Sequence, residues 1–306
     1  MQVFETYKDL PADSAGSVLV IGNFDGVHVG HQALLARGRA LADELDAPLA
    51  VLTFEPHPRK LFRPDEPPFR LSPIEVKAER LSVCGVDMLF SIGFDWDFAS
   101  QPAEDFVRDV LLEGIKPAHV VVGFDFRFGQ LRKGDPATMS AAGLDVSVVE
   151  EVSDEDGGEV SSSKIRQALR HGRVEEANSL LGWDWEVRGI VTKGDQRGRE
   201  LGYPTANFPL GEDSIQPAYG VYAARVLIEG EDEWRMAAIN IGIKPMFEVQ
   251  RADVESYIFD FSGDLYGKAL RVRPVSFLRG EAKFNSLEEL IAQMDKDCAR
   301  AREILG

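Results

Sequence analysis

Short apolar runs separated by amphipathic stretches fill the first half of the chain. Ser17–Gly22 (SVLVIG) predicts a buried strand, followed by the polar loop Asn23–Gly30 and a helical run from His31 to about Leu45. Strands follow at Leu49–Phe54, Met88–Ile92, Ala118–Gly123 and Val146–Val152. Helical patterns at Pro73–Cys84, Ala103–Leu112 and Pro136–Ala142 lie between them. Buried strands alternating with helices predict a parallel sheet covered on both faces. Ligands of such sheets bind beyond the carboxyl ends of the strands.

The rhythm changes after Leu181-Gly182. VRGIVTK, VYAARVLI, MAAINIG, VESYIFDF and LRVRPVSFL succeed one another from Val187 to Leu278 with turn-rich links and no intervening helix. This predicts an antiparallel barrel or sandwich. A closing helix is expected from Leu287 to about Leu305, with Ser286 and Glu289 at capping-box spacing. Leu287, Leu290, Ile291, Met294, Cys298, Ala301 and Leu305 mark its apolar face. A boundary near Gly182 divides the chain into domains at 1–182 and 183–306, as a length of 306 residues also favours.

A formal net charge of −17 argues against general binding to nucleic acid or anionic membranes. It leaves room for nucleotides, which a few local donors and Mg²⁺ can hold. The two cysteines, Cys84 and Cys298, have no metal-like spacing and are expected as reduced thiols. The N-terminal residues lack a signal-peptide pattern, and no apolar run approaches about 18 residues, so a cytoplasmic protein is expected. The sequence leaves the oligomeric state open.

Candidate chemistry lies in the expected strand-end loops. In Gly22–His31 (GNFDGVHVGH), glycines allow close backbone approach, and His28 and His31 stand where a helix begins. A lone histidine there would read as a solvated loop residue, but the HxGH context favours phosphate chemistry. His57 follows the second strand in TFEPHP. GFDFRFG places Asp125 among Phe124, Phe126 and Phe128, suited to a flat ring or to the core. Ser162, Ser163 and Arg166 open a helix, as caps or as a phosphate clamp. In the second half, Gly194, Gly198 and Gly202 precede Pro204-Thr205-Ala206-Asn207, whose Thr and Asn oxygens suit Mg²⁺. Glu255 interrupts an apolar strand, facing solvent or held for chemistry.

The GNFDGVHVGH, TFEPHP, GFDFRFG and SSSKIR segments, in this order, resemble the adenylyltransferase module of prokaryotic bifunctional riboflavin kinase/FAD synthetases. GDQRGRELGYPTAN, NIG, VESYIFDF and DLYGK resemble the riboflavin kinase module of the same family. The resemblance implies a Rossmann-like α/β nucleotidyltransferase of the HxGH type, followed by a small antiparallel β-barrel with a C-terminal helix. It implies that riboflavin is phosphorylated to FMN and FMN adenylylated to FAD, with ATP as co-substrate and Mg²⁺ as metal.

By the same resemblance, Gly22, Asn23, Phe24, Asp25, His28, His31, Ser162, Ser163 and Arg166 surround the first ATP, and His57, Asp125, Phe126 and Phe128 face the flavin. In the kinase module Gly194, Gly198 and Gly202 cradle the nucleotide, Thr205 and Asn207 hold Mg²⁺, and Glu255 is the general base. Met246 stands where the family usually carries threonine after Asn240-Ile241-Gly242-Ile243-Lys244-Pro245, which touches a supporting loop. Two rival readings are a flavin-sensing protein without chemistry and, on HxGH alone, a pantetheine- or nicotinamide-type adenylyltransferase.

Overall fold

The computed structural model describes residues 1–150, 158, 160–193, 202–243 and 252–306. The acidic stretch 154–159, apart from Gly158, and Gly194, Gly198 and Met246 lie outside the described residues. The chain forms two compact units, Met1–Pro67 with Ile74–Val160, and Pro68–Pro73 with Ser161–Gly306.

The first unit is built on a six-stranded parallel sheet in the order β1-β4-β3-β2-β5-β6. Its strands are β1 (Gln2–Phe4), β2 (Val18–Ile21), β3 (Leu49–Glu55), β4 (Met88–Gly93), β5 (His119–Gly123) and β6 (Val146–Val149). The edge strand β1 was not anticipated from the sequence; three residues are too few to show alternation.

Successive β2 side chains point to opposite faces, as strand geometry requires. Val18 and Val20 join Leu35 and Leu81 in one core, while Leu19 and Ile21 join Phe106 and Val110 in the other. Helices α1 (Val29–Glu44), α2 (Pro58–Phe62), α3 (Ile74–Val83), α4 (Trp96–Ala99) and α5 (Ala103–Asp105) connect the early strands. The last runs into a π-helical stretch, Phe106–Ile115, before β5, and α6 (Pro136–Ala141) precedes β6. The chain moves outward from β2 through β3 to β4, then returns to β5 on the other side of β2. That reversal opens a crevice beyond the carboxyl ends of β2 and β5, the place where such sheets bind ligands.

In the second unit α7 (Ser162–Arg170) and α8 (Val174–Leu181) precede an antiparallel sheet in the order β7-β12-β9-β10-β11-β8. The strands are β7 (Val187–Ile190), β8 (Ala206–Pro209), β9 (Gly220–Ile228), β10 (Arg235–Ile243), β11 (Ala252–Ile258) and β12 (Ala269–Gly280). A bridge between Thr192 and Asn207 joins the two edges, so the sheet curls into a nearly closed barrel. Helix α9 (Leu287–Leu305) covers one outer face, with Ala301 and Leu305 packed against Ala223 and Ala238. Ser286 caps it by accepting from Glu289 N, whereas Leu287 is exposed.

Pro68–Pro73 is sewn into this second unit. The Phe69 and Arg70 amides donate to Asp213 O, and Trp185 Nε1 donates to Leu71 O at 3.0 Å. Both cysteines are free thiols, and burial, with Asp297 adding to it, pushes Cys298 up to about 11. Among the described residues no helix is long and apolar enough to cross a membrane.

Candidate functional site

The GNFDGVHVGH segment lies directly beyond β2, beside the crevice. Gly22 donates to Leu52 O, and a Cβ there would stand 3.1 Å from the Phe24 ring. Phe24 turns inward with φ of 50° and no exposure, and Val27 is left-handed at 41°. Left-handed backbone costs a bulky residue about 1–2 kcal/mol, so burial of both side chains sustains this loop. Asp25 is buried beside them, whereas Asn23 is exposed.

His28 caps α1, its Nδ1 accepting from His31 N at 3.4 Å. A neutral imidazole that accepts at Nδ1 carries its proton on Nε2. The two imidazoles stack with centroids 3.6 Å apart, and Phe24 lies 5.1 Å from the His31 ring. A Cβ on Gly30 would come within 3.2 Å of the His28 ring, which explains the glycine of HVGH by space. The cap and the candidate chemistry thus reside in the same histidine: one nitrogen fixes the ring, the other is a donor at a helix N-terminus.

His57 repeats the device on α2, with Nδ1 accepting from Arg59 N at 3.1 Å. Beyond β5, Asp125 is exposed, Phe126 is half-buried, and Phe128 is buried against Phe106 at 5.1 Å. Phe128 therefore belongs to the core as much as to the loop. A chain of rings missed in the sequence runs along the same strand ends: Phe54 contacts Phe94 and Phe98, and Phe94 contacts Phe62, which meets Trp96. Phe62 and Trp96 are exposed, as an aromatic shelf would be. The available signal was one phenylalanine beside each strand end, Phe54 in β3 and Phe94 after β4.

Ser162, Ser163 and Arg166 belong to the second unit. The α7 cap is Ser161, whose hydroxyl accepts from Lys164 N, so neither Ser162 nor Ser163 serves as cap. Arg166 is buried, with Nε donating to Phe69 O at 2.8 Å.

Register organises the barrel site. Asn207 on β8 is opposite Glu255 on β11, and Glu255 is opposite Asn240 on β10. Residues directly opposite across an antiparallel ladder share a face, so the three form one polar row. The glycines ahead of PTAN suggest that the segment lies in a loop. Its Asn207 instead sits in β8, with Nδ2 donating to Thr205 O at 3.1 Å and to Thr205 Oγ1 at 3.3 Å.

Glu255 and Tyr257 are half-buried between the buried Val254, Ser256 and Ile258, and so share the more open face of β11. Tyr203 packs edge-on against Tyr257 at 5.0 Å and its hydroxyl donates to Asp295 of α9, a hydrogen bond that holds the phenol above its usual range. Gly202, left-handed at φ of 85°, turns the chain into this segment. A Cβ on Gly242 would collide with Glu281 Oε1, so a second carboxylate, from the residue after β12, lies against β10 near Asn240.

A family model for FAD synthetase matches residues 10–164, and one for riboflavin kinase matches residues 181–305. The chain is 40% identical over 299 residues to the bifunctional riboflavin kinase/FMN adenylyltransferase of Escherichia coli K12, covering 96% of this chain and 95% of that protein. The Bacillus subtilis protein of the same name is 39% identical over 294 residues, covering 93% and 91%. A crystal structure described as a macrolide-efflux protein from Streptococcus pneumoniae superposes with a TM-score of 0.89 at 33% identity, covering 98% of both chains.

Proposed function

The chain belongs to the bifunctional riboflavin kinase/FMN adenylyltransferase family, and from that premise we infer that two modules of the chain divide the two reactions. It is a kinase and a nucleotidyltransferase: riboflavin becomes FMN, then FMN becomes FAD, with ATP consumed in each step. The observation that carries this reading is a separate polar constellation in each unit, the stacked histidine pair beyond β2 and the Asn207–Glu255–Asn240 row. The matched models favour an adenylyltransferase module over 1–182 and a kinase module over 183–306.

In adenylyl transfer an FMN phosphate oxygen attacks the α-phosphorus of ATP and pyrophosphate leaves. Gly22, Asn23, Phe24 and Asp25 shape the loop against the nucleotide, and His28 and His31 donate to charge developing on the phosphates. His57, Asp125, Phe126 and Phe128 form the flavin side, and the family resemblance gives Ser162, Ser163 and Arg166 phosphate-binding roles.

In the kinase step Glu255 takes the proton of the ribityl 5′-hydroxyl as that oxygen attacks the γ-phosphorus and ADP leaves. The family resemblance gives Gly194, Gly198 and Gly202 the nucleotide-cradling role. Thr205 and Asn207 supply hard oxygens, and the described residues contain no cluster of three His, Cys, Asp or Glu that could hold a metal. This donor set suits Mg²⁺, which keeps few protein ligands and shares the rest with phosphate and water. Bound there, Mg²⁺ would neutralise phosphate charge.

The charge of −17 speaks against nucleic acid as a partner, and dependence on ATP supports a cytoplasmic location. The test supplies each substrate alone. Riboflavin with ATP and Mg²⁺ should yield FMN and ADP, and FMN with ATP and Mg²⁺ should yield FAD and pyrophosphate. Flavin binding without turnover would favour a sensor, and adenylylation of phosphopantetheine in preference to FMN would overturn the flavin assignment.

A further inference from the structure

We propose that Lys77 is a positioning residue for adenylyl transfer, a buried cation that holds the loop after β2 in register with the loop after β3. Its side chain on α3 is completely buried, although its neighbours in sequence read as an ordinary amphipathic helix. The ammonium lies 2.8 Å from Glu55 Oε1 and 3.3 Å from Thr53 Oγ1. Thr53 is itself fully buried, and its hydroxyl donates to Asn23 O at 3.1 Å.

The direction of this chain follows from donor counting. A hydroxyl has one proton, and Thr53 gives it to Asn23 O, so toward Lys77 it can only accept. The ammonium, which has donors alone, supplies that bond and the one to Glu55. One branch therefore ends on the backbone of Asn23, between Gly22 and the left-handed Phe24. The other reaches Glu55, which stands two residues before His57 and whose backbone carbonyl accepts from Phe94 N. Lys77 thus spans the candidate phosphate loop and the candidate flavin loop, touching neither substrate.

A buried lysine loses hydration that an apolar side chain of similar volume would never need to replace. Glu55 offsets that loss, but methionine would fill the same space without it. What methionine could not do is orient Thr53 and Glu55 together. Phosphoryl chemistry is sensitive to such orientation, because a misplacement of about 1 Å between reacting groups can cost about a hundredfold in rate.

This inference rests on the reading of Gly22–His31 as the ATP loop and Thr53–Pro58 as part of the flavin side. The test uses the full chain with Lys77→Met and Thr53→Val, each assayed for both reactions and for thermal unfolding. Lys77→Met should lower kcat for FAD formation roughly ten- to hundredfold, leave KM for ATP and FMN near wild type, and leave riboflavin phosphorylation intact. Thr53→Val should give a smaller loss of the same kind, and the double variant should be no worse than Lys77→Met, because the two act in series.

Full kcat for FAD formation in folded Lys77→Met, with only a lower Tm, would overturn the proposal. If Lys77→Met loses both activities by unfolding, Thr53→Val decides, and wild-type kcat in that variant overturns the proposal as well. Absence of FAD formation by the wild-type chain would instead strike the functional reading itself.

Discussion

Glu255 faces Asn240 across the β10–β11 ladder and Asn207 across the β11–β8 ladder, so a carboxylate stands between two amides on one face of the barrel. Replacing Glu255 by glutamine preserves shape and hydrogen bonding but removes the base. FMN formation should fall between about a hundred- and ten-thousandfold, as loss of a general base does, while FMN supplied directly is still converted to FAD. Product chromatography from riboflavin and from FMN checks both halves.

His28 gives the complementary case. Its Nδ1 caps α1 and its ring stacks on His31. His28→Asn retains a capping side chain but removes the Nε2 donor. FAD formation should drop by about a hundredfold or more, with FMN formation unchanged. Comparable losses for His28→Asn and His28→Ala would assign the effect to the ring rather than to the cap.

Much of this arrangement was legible in the sequence, for physical reasons. VLVI between polar segments could only be a buried strand, and the glycines after it announced backbone close to a ligand. The strand order then put GNFDGVHVGH and GFDFRFG at the same crevice, as an alternating α/β pattern implies. What escaped was non-local. The PTAN segment reads as a turn until the pairing of Asn207 with Glu255 makes Ala206–Pro209 a strand. Pro68–Pro73 joins the second unit through bonds to residues more than a hundred positions away, which no local pattern encodes. Lys77 and Glu186 look like solvent-facing charges because alternation cannot show that a charge has a buried partner.

Glu186 bears on pH stability. It is fully buried and bonded to Arg188, Arg271 and Arg273, with Arg273 also stacked 3.9 Å from the Trp234 ring. Burial opposes the carboxylate charge, but Arg271 and Arg188 outweigh it and hold the group below its usual range. A depressed folded pKa contributes stability that is complete above the unfolded value of about 4.3 and is lost as pH falls through the lower folded value. Melting curves of wild type should therefore fall away on acidification below about pH 4.3. Glu186→Gln should be weaker at neutral pH by about 3 kcal/mol and show a shallower acid limb.

Packing of α1 on the sheet offers a control that touches neither site. A Cβ on Gly38 would lie 2.6 Å from Val20 Cγ2 and 2.9 Å from Leu49 Cδ1. Alanine gains about 1 kcal/mol of helix propensity, but overpacking costs about 1–3 kcal/mol. Gly38→Ala should lower Tm, with both specific activities retained below the transition. An unchanged or raised Tm would show that the helix shifts at little cost.

One chain thus carries two chemically independent sites acting in sequence on one vitamin. A time course with riboflavin, ATP and Mg²⁺ on wild type, His28→Ala and Glu255→Ala tests it most directly. Wild type should accumulate FMN and then FAD, His28→Ala should stop at FMN, and Glu255→Ala should leave riboflavin unphosphorylated yet convert added FMN. Equal loss of both steps in either folded variant, or neither product from wild type, would contradict it.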